Sequence, residues 1–412
     1  MKICHIATGF PISFQGGITN YVRTLAEYQT SQGYEVYVLS GPDDKKFLFK
    51  TKFYKSDKII PMKWRAPIDK KGLEKIKKFL DIHQFDLIHI HMMLDIDWDI
   101  YEIIKPYKYI ISLHDYFFLC PRIQMLMHDN KICTAYEEEK CSRCVSWFNT
   151  VRITNAVEYK ISHNTKFRKF RLPEIPQTMT KIRYEKFKIL LENAEYLLPV
   201  SSRVQEIFEA SGISGNYKML HIGNVTADNY KDNLQFDTEK RVIDIAMLGT
   251  LTYLKGVDLF IDIAKRVNPN VRVHFYGRSG TYAEKIKAVG ILDHGPYRQD
   301  MLSNILDEID IGMCLSVWED NGPQVVMEFL NNHVPVVGTK LGGIPDFVHD
   351  GINGYLFNPF DYREIDRIVC VLNTMTRQDL NKLKSNICRT TTTKEHCGEI
   401  DKIYNSIKMN KQ

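Results

Sequence analysis

The chain has 412 residues, of which 44% are hydrophobic and 25% are charged. That length is too great for one ordinary core and predicts two domains, while the composition is typical of a soluble globular protein. The 55 basic and 50 acidic residues give a net charge of +5, which excludes the basic bias of a nucleic-acid-binding protein.

The N-terminal sequence MKICHIATGF begins directly with an apolar strand and has neither a basic region nor a small-residue cleavage site. No apolar run approaches the roughly 20 residues that span a bilayer. The nine cysteines are an odd number, which argues against a disulfide framework in a cytoplasmic chain. We therefore expect a cytoplasmic protein.

Short apolar runs alternate with helical patterns in the first half of the chain, as in βαβ units on a parallel sheet. Ser202 and Gln205 are predicted to form a capping box at the start of the helix RVQEIFEASG. A further helix, TNYVRTLAEYQTSQG, is closed by Gly33. The predicted strands are KICHIA, EVYVLS, FDLIHIH, YIISLHD and AEYLLPVSS.

The segment 221–240 loses periodicity and turns polar, which indicates a linker over 222–240. A second βα series follows, with strands at VIDIAMLG, VRVHFYG, IDIGMCLS, VPVVGT and GYLFNP. The pattern predicts an α/β chain of two successive doubly wound domains, which bind ligands at the carboxyl ends of their strands. We expect domains over 1–221 and 241–390, and a helical tail over 391–412 that can pack on the first domain.

Two loops carry residues suited to phosphate. FQGGITNYV places Gly16 and Gly17 between a strand and a helix, where paired glycines let a backbone approach a phosphate closely. A plain βα turn is the alternative interpretation. LGTLTYLKGVDLF puts Lys255 before an amphipathic helix, where an ammonium can neutralise a departing diphosphate. The alternative for Lys255 is a solvated surface lysine.

WEDNGPQVVMEFL is the most informative stretch. Pro323 is predicted at the first helical position, because its missing N–H would have no partner there. The helix start predicts an anion site built from Gly322, Pro323, Gln324 and Val325. Glu328 follows more than a turn later. It can be an exposed helical acid, but the helix runs into the buried strand VPVVGT and leaves Glu328 little solvated surface.

These features, in this order, resemble the retaining glycosyltransferases of family 4, within the glycosyl transferases group 1. That family has the GT-B fold, in which two Rossmann-like domains face each other across a cleft. DNGPQVVME resembles the E-x7-E motif of the family, and VPVVGTKLGGIPDFVHDGINGYLFNPFD resembles the segment after it. GTLTYLKG is similar to its phosphate element, FQGGIT to its N-terminal glycine loop, and SLHDYFFLCPR to its interdomain histidine segment, in a subgroup with extra cysteines.

The resemblance implies roles for residues of the C-terminal, donor-binding domain. Glu328 would hydrogen-bond the donor ribose, and Lys255 would bind the diphosphate. Asp320 would touch the donor sugar near the reacting centre. It occupies the position of the first glutamate of the motif, and Glu319 just before it can substitute for it.

The resemblance also assigns the N-terminal domain to the acceptor, with a cysteine-rich and basic insertion at about 116–190. His114 would contact the donor sugar from this domain. Gly17, with Gly16 before it, would border the phosphate or the acceptor.

One departure concerns the diphosphate. Thr250 stands where the family usually has an arginine, so Lys255 is the cation assigned to the diphosphate unless Arg278 or Arg298 contributes. Cations and helix N–H groups stabilise the charge that develops on the diphosphate, and carboxylates stabilise the charge on the sugar. No DxD-like element is present, and we expect no catalytic divalent metal.

Four cysteines have the spacing C-x12-C-x7-C-x2-C: Cys120, Cys133, Cys141 and Cys144. Four thiolates with one C-x2-C pair favour zinc, and we predict a structural zinc that orders the loop beside His114. Four reduced loop cysteines, an iron–sulfur cluster and, less fitting in the cytoplasm, a disulfide are the alternatives.

The stretch from Arg152 to Lys188 contains ten Lys/Arg against three Asp/Glu, with apolar residues interspersed. Basic amphipathic helices bind anionic membrane surfaces, and a solvated helical insertion is the equal alternative. Nucleic acid is disfavoured because no binding module accompanies the charges. On the membrane interpretation, the acceptor is a lipid-linked saccharide at the inner face of the cell membrane.

The sequence thus predicts a retaining glycosyltransferase that moves a sugar from a nucleotide-diphosphate sugar, with UDP favoured, to a saccharide acceptor. The pathway expected is cell-surface polysaccharide synthesis: capsule, O-antigen of lipopolysaccharide, or exopolysaccharide. Alternatives are a nucleotide-sugar epimerase, a glycosyl phosphorylase, for which no pyridoxal-phosphate lysine context is seen, and a non-catalytic glycan- or nucleotide-binding relative.

Overall fold

The computed structural model describes residues 1–7, 17–40, 52–55, 70–93, 98–127, 130–144, 177–230 and 242–409. The chain forms two compact units. Unit 1 comprises Met1–Leu220 with Cys397–Gln412, and unit 2 comprises His221–His396. Each unit carries a six-stranded parallel sheet, which confirms the predicted α/β class with two parallel-sheet domains.

In unit 1 the strand order is β3-β2-β1-β4-β5-β6. The strands are β1 (Lys2–Ala7), β2 (Glu35–Ser40), β3 (Lys52–Lys55), β4 (Leu87–Ile90), β5 (Tyr109–Leu113) and β6 (Tyr196–Pro199). The helices are α1 (Gly17–Ser31), α2 (Lys70–His83), α3 (Ile100–Ile104), α4 (Glu138–Cys144), α5 (Gln177–Glu192) and α6 (Ser202–Ala210).

In unit 2 the strand order is β12-β11-β10-β7-β8-β9. The strands are β7 (Ile243–Thr250), β8 (Val271–Arg278), β9 (Leu292–Asp293), β10 (Ile311–Cys314), β11 (Val336–Thr339) and β12 (Gly354–Phe357). The helices are α7 (Val225–Asp228), α8 (Val257–Arg266), α9 (Ala283–Lys287), α10 (Leu302–Asp307), α11 (Gln324–Asn331), α12 (Tyr362–Thr374) and α13 (Arg377–Ser385). The last helix, α14 (Thr393–Met409), begins in unit 2 and ends in unit 1.

Alternate side chains of β7 enter different cores of unit 2. Ile245 and Met247 pack in the cluster that includes Phe260 of α8, whereas Ala246 and Leu248 belong to the cluster of α10 and α11. Successive side chains of a strand point to opposite faces, so both faces of this sheet are covered by helices. The sheet is therefore doubly wound, and its strand ends remain as the edge at which loops converge.

The helix α14 completes the core of unit 1. Its buried side chains Ile400, Ile403 and Tyr404 pack in one cluster with Ile3 of β1 and Ile110 of β5. The sheet of unit 1 is thus covered by an element that follows unit 2 in the chain.

The ten strands predicted from the sequence are all present. The two strands without a prediction, β3 and β9, lie at sheet edges and are short, so they carry little apolar pattern. None of the helices in the described part of the chain is both long and apolar enough to cross a bilayer.

Two predicted helix starts are wrong by one residue. The N-cap of α6 is Ser201 in extended conformation, whose side chain accepts from Val204 N, so Ser202 and Gln205 do not form the capping box. Gln205 Nε2 donates instead to Glu209 Oε1 at 2.9 Å. Pro323 is the N-cap of α11 rather than its first helical residue, because its ψ of 98° is not helical.

The predicted linker 222–240 includes part of unit 2. Asn224 Oδ1 accepts from Thr226 N at 2.8 Å and caps the short helix α7. Residues 231–241 lie outside the described residues.

Candidate functional site

Lys255 lies in the turn between β7 and α8, at the carboxyl edge of the unit 2 sheet. The turn packs on the end of β10, where Val317 N–H donates to Leu254 O at 2.9 Å. Gly256 has a φ of 77°, and a Cβ at this position would lie 1.9 Å from Leu315 O. Only glycine permits this approach, which fixes Lys255 next to the segment that leads to Asp320.

The ammonium of Lys255 forms an ion pair with Asp320. Nζ lies 2.6 Å from Asp320 Oδ2, and the hydroxyl of Ser316 donates to the same oxygen at 2.8 Å. Burial lowers the pKa of Lys255, but the Asp320 carboxylate outweighs this effect, so the pKa is raised and the lysine stays charged. The predicted diphosphate cation and the predicted first acid are therefore in direct contact.

Glu319 has a different environment from Asp320. Its Oε2 accepts the N–H of Gly342 at 2.8 Å, and the residue is 2% exposed. The next amide, Gly343 N–H, donates to Asp320 O at 2.7 Å. Gly342 has a φ of 57°, and a Cβ there would lie 2.0 Å from Asp320 O. The loop at Gly342 and Gly343 thus holds the backbone of the acidic pair, and Asp320 carries the carboxylate that contacts Lys255.

The start of α11 carries a buried donor. Asn224 Nδ2 donates to Gln324 Oε1 at 2.7 Å, so the acceptor atom of the Gln324 amide is used within the protein. Gln324 Nε2 is buried without a hydrogen-bond partner among the described residues, and so is Trp318 Nε1. Buried donors normally have acceptors. Gln324 Nε2 is therefore suited to bind an oxygen of a ligand at this helix start, together with the backbone N–H groups of Gln324 and Val325.

Glu328 is half-buried on α11. Burial raises its pKa above the ordinary value, while a hydrogen bond from Gln299 Nε2 to Oε1 at 3.4 Å opposes the shift. A carboxylate in such a place pays a desolvation cost, which hydroxyl donors from a ligand can offset.

The strand ends place an arginine beside Thr250. Thr250 is the last residue of β7, and Arg278, the last of β8, lies directly opposite it in the sheet register. Both are exposed, and no ion pair joins Arg278 to a carboxylate of the described residues. Arg298, in contrast, pairs with Asp300. Of the two arginines considered from the sequence, Arg278 is the one at the strand edge.

His114 follows β5 in unit 1 and is buried. Its Nε2 lies 3.2 Å from His91 Nδ1, and its ring meets the edge of Tyr21 with centroids 4.7 Å apart. Gly17 is the first residue of α1, and a Cβ there would meet no atom within 4 Å. Gly16 lies outside the described residues.

The sequence reasoning missed Ser316 and Trp318. Ser316 is fully buried two residues after β10 ends, and its carbonyl accepts from Thr339 Oγ1 at 2.7 Å. Trp318 extends over the turn, with Lys255 Nζ 6.0 Å from its ring centroid. The available signal was position alone, because both residues lie between the end of β10 and the acidic pair.

The four predicted metal-binding cysteines line a single cavity in unit 1: Cys120, Cys133, Cys141 and Cys144. Its volume of about 20 Å³ is enough for one water-sized atom. All nine cysteines of the chain are thiols. Burial and the neighbouring thiols raise the pKa of Cys133 and of Cys141 to about 12.

The spacing of these sulfurs is wider than in a metal-bound cluster. Among the described residues, three possible ligand atoms lie within 4.8 Å of one another at His5, His89 and His91, whereas no three of the four cysteine sulfurs lie that close. In a tetrahedral zinc site with Zn–S bonds of ~2.3 Å, the sulfurs are about 3.8 Å apart. The four thiols fit the donor set of a zinc site, and they would have to draw together on binding.

Arg183 of α5 lies beside the cysteine cavity and is fully buried. Its guanidinium donates to the carbonyls of Phe117 and Phe118, in the turn after His114. Burial lowers its pKa to about 10, against the opposing effect of Cys120 and Cys141.

The described part of the basic stretch pairs its charges. Lys181 lies 3.8 Å from Glu138, Lys186 lies 2.6 Å from Asp99, and Lys188 lies 3.5 Å from Glu192. These three lysines are paired with carboxylates and therefore do not form an unpaired basic face. Residues 152–176, which hold the remaining charges, lie outside the described residues.

Two family models match the chain. The model of Glycosyltransferase Family 4 matches residues 15–148, which include His114 and the four cysteines. The model of glycosyl transferases group 1 matches residues 243–373, which include Lys255, Asp320 and Glu328. Together the two matches take in the greater part of the chain.

Among curated proteins, the chain is 25% identical to the sulfoquinovosyl transferase SQD2 of Arabidopsis thaliana over 185 residues, which are 41% of this chain and 35% of that protein. The chain spans less than half the length of the curated relatives it matches.

Solved structures share the fold over the whole chain. HepE of Anabaena, in complex with UDP, is 16% identical with a TM-score of 0.64, and the match covers 98% of this chain and 100% of that chain. The lipopolysaccharide outer core galactosyltransferase WaaB is 15% identical with a TM-score of 0.62, with 100% of both chains covered. The likeness confirms the predicted two-domain GT-B fold.

Proposed function

This chain belongs to the glycosyl transferases group 1 and Glycosyltransferase Family 4, and on that premise we propose that it moves a sugar from a nucleotide-diphosphate sugar to a saccharide acceptor with retention of configuration. The observation that carries the proposal is the contact of Lys255 with Asp320 at the carboxyl edge of the unit 2 sheet. A cation and a carboxylate held there match the two charges that the reaction develops.

The diphosphate is bound by Lys255 and Arg278 and by the start of α11. Arg278 supplies, from the neighbouring strand, the guanidinium that Thr250 lacks. Gln324 Nε2, a buried donor, hydrogen-bonds an oxygen of the donor substrate. These groups supply the positive charge at the diphosphate, so the proposed reaction needs no divalent metal.

Glu328 accepts hydrogen bonds from the ribose hydroxyls. Its desolvated position supports this role, because a half-buried carboxylate gains most from two hydroxyl donors. UDP is the favoured nucleotide, and the likeness in fold to HepE in complex with UDP supports that choice.

In the reaction, the bond between the anomeric carbon and the diphosphate oxygen breaks, and its electron pair leaves with the diphosphate. Lys255 and Arg278 stabilise that charge, and Asp320 stabilises the positive charge on the sugar ring. The acceptor hydroxyl bonds to the anomeric carbon on the face that the diphosphate leaves, and its proton passes to the leaving oxygen. His114 and Gly17 of unit 1 contact the donor sugar and the acceptor, which that domain binds.

The acceptor is a lipid-linked saccharide of cell-surface polysaccharide synthesis, at the inner face of the cell membrane. The fold shared with WaaB, a lipopolysaccharide galactosyltransferase, supports this class of acceptor. The membrane contact depends on residues 152–176, since the described cations of the basic stretch are paired.

The cysteine cluster holds a structural zinc. When bound, the ion would cross-link α4 to the segment that follows His114, through thiolate ligands from both. Zinc with four thiolates carries a net charge of −2, and the buried guanidinium of Arg183 would offset half of it.

The proposal is tested by a panel of UDP-, GDP-, ADP- and dTDP-sugars, measured by thermal shift and by product analysis with and without a lipid-linked saccharide. Ligand at a hundredfold excess over its Kd stabilises the native state by about 2.7 kcal/mol. One nucleotide series should stabilise the protein, and sugar transfer should require the acceptor. Isomerised or hydrolysed donor in the absence of acceptor would instead establish the epimerase alternative. Binding without turnover on any acceptor would establish a non-catalytic relative.

A further inference from the structure

Three histidines and a glutamine form a hydrogen-bonded chain through the interior of unit 1. His114 Nε2 lies 3.2 Å from His91 Nδ1, His91 Nε2 lies 2.9 Å from His5 Nδ1, and His5 Nε2 lies 2.7 Å from Gln29 Oε1. Gln29 belongs to α1 and His5 to β1, and His91 directly follows β4. All four residues are buried, so water does not compete for these bonds.

Next to this chain of four residues, His89 forms a second set of hydrogen bonds. Its Nδ1 lies 2.6 Å from Tyr404 Oη and its Nε2 lies 2.8 Å from Ser112 Oγ. The ring nitrogens of His5, His89 and His91 are close enough to be considered as metal ligands. Every one of these six nitrogens, however, already has a hydrogen-bond partner within the protein. The arrangement therefore favours a hydrogen-bonded chain over a metal site.

The hydrogen-bonded chain has a direction, because the Gln29 oxygen at its end can only accept a hydrogen bond. The oxygen Oε1 of Gln29 has no hydrogen, so His5 must donate to it from Nε2–H. Burial lowers the pKa of His5 to about 4, against the opposing effect of the hydrogen bond that His5 donates to Gln29, so His5 is neutral at pH 7 and its Nδ1 is an acceptor. His91 must then donate from Nε2–H, and its own Nδ1 accepts from Nε2–H of His114.

We propose that Gln29 sets the tautomer of neutral His114 through His5 and His91, so that the neutral ring presents the lone pair of Nδ1 as a hydrogen-bond acceptor. Gln29, His5 and His91 are positioning residues in this scheme. Hydrogen bonds aligned in one chain polarise one another, so each bond strengthens His114 Nδ1 as an acceptor.

The consequence for specificity rests on the proposed function, in which His114 contacts a sugar. An imidazole that presents an acceptor recognises a hydroxyl group, whose hydrogen it can bind. A donor analogue that carries fluorine or hydrogen in place of that hydroxyl would lose the contact. An imidazole of the opposite tautomer would present N–H and would tolerate fluorine, a weak acceptor, better than hydrogen.

The tautomers are measured directly by two-bond 1H–15N correlation spectra of the full chain labelled with 15N-histidine, with no substrate present. Signals are assigned from His114→Gln and His91→Gln. In the wild type, His114 should be protonated on Nε2. In Gln29→Met, which keeps the shape but removes the acceptor, the His114 signals should shift toward a mixture of tautomers. The matched control is Ser211→Ala, which removes a buried hydroxyl that donates to Ile207 O elsewhere in unit 1 and should leave His114 unchanged.

A proton on Nδ1 of His114 in the wild type would overturn the proposal, since it would mean that the Gln29 amide is turned and the chain runs in reverse. A His114 tautomer that does not respond to Gln29→Met would overturn it as well. If that variant does not fold, Gln29→Leu removes the same acceptor and must shift the His114 signals in the same way. None of these readouts requires turnover, so they stand apart from the success or failure of the glycosyl-transfer proposal.

Discussion

Lys255 Nζ and Asp320 Oδ2 are 2.6 Å apart, and the two residues come from different loops at the edge of one sheet. The contact joins the residue expected to receive the leaving diphosphate to the residue expected to face the sugar. Either charge is thereby kept in place by the other before a ligand binds, which limits the reorganisation that binding requires.

Asp320→Asn should lower kcat/KM more than it lowers donor affinity. The amide keeps the shape and the contact with Ser316, but it removes the charge that stabilises the sugar ring in the transition state. Loss of one such electrostatic group typically costs about 10²- to 10³-fold in rate. The effect is measured by the kinetics of sugar transfer, with the nucleotide sugar that raises the Tm in the thermal-shift panel as donor. Glu319→Gln serves as the comparison. A larger loss of kcat/KM in Glu319→Gln than in Asp320→Asn would show that Glu319, not Asp320, fills the first acidic position of the motif.

Arg278→Ala should weaken binding of the nucleoside diphosphate by about tenfold or more, as expected when a charge-assisted hydrogen bond of ~1.5–3 kcal/mol is removed. Calorimetric titration with UDP at two salt concentrations measures the affinity and its electrostatic part. Arg298→Ala removes an equally exposed arginine that is paired with Asp300 and should leave the affinity unchanged. Equal effects of the two variants would remove Arg278 from the site.

Gly256→Ala should destabilise unit 2 and reduce activity together. The new Cβ would lie 1.9 Å from Leu315 O, in addition to the cost of ~1 kcal/mol for a side chain at positive φ. The loop must therefore move away from β10 and carry Lys255 with it. Gly351→Ala has a similar φ of 72° but no atom within 4 Å, so it isolates the backbone cost. A Tm for Gly256→Ala no lower than for Gly351→Ala would contradict the packing argument.

Glu328→Gln should raise the Tm of the ligand-free protein at pH 7 while weakening donor binding. Burial raises the folded-state pKa of Glu328, so its contribution to stability is present below the unfolded pKa and is lost as pH rises through the folded one. At pH 7 the charged form is thus a cost that glutamine avoids. Donor affinity should fall in the wild type as pH decreases toward the raised pKa. Glu364→Gln, at a site where hydrogen bonds from Asn358 N–H and Lys340 lower the pKa of the carboxyl, should show the opposite change in stability.

The purified protein should contain one zinc per chain when expressed with zinc in the medium, as measured by elemental analysis. Cys141→Ser should lose the metal and lower the Tm, because structural zinc contributes directly to folding. Cys370→Ser, at an exposed position in α12, is the control and should keep full occupancy. Iron in place of zinc would favour the cluster alternative, and the absence of any metal would leave four reduced thiols.

The central strands of both sheets could be predicted because their apolar runs are buried on two faces and bounded by turn residues. The neighbourhood of Lys255 and Asp320 also followed, since parallel strands bring their carboxyl ends to one edge. The edge strands β3 and β9 could not be recognised, because a short strand with one neighbour needs little apolar character. The histidine chain was beyond prediction as well. His5 lies 86 residues from His91 and 24 from Gln29. The pairing of β1 with β4 brings the two histidines together, and the packing of α1 on the sheet adds Gln29.

The position of α14 has a consequence for biosynthesis. Ile400, Ile403 and Tyr404 fill the core of unit 1, so that unit is encoded by two stretches separated by all of unit 2. The first 220 residues emerge from the ribosome long before α14, the helix that covers their sheet, is synthesised. The apolar face around Ile3 and Ile110 therefore stays exposed while unit 2 is synthesised. Unit 2 is the first part of the chain that can fold completely during synthesis.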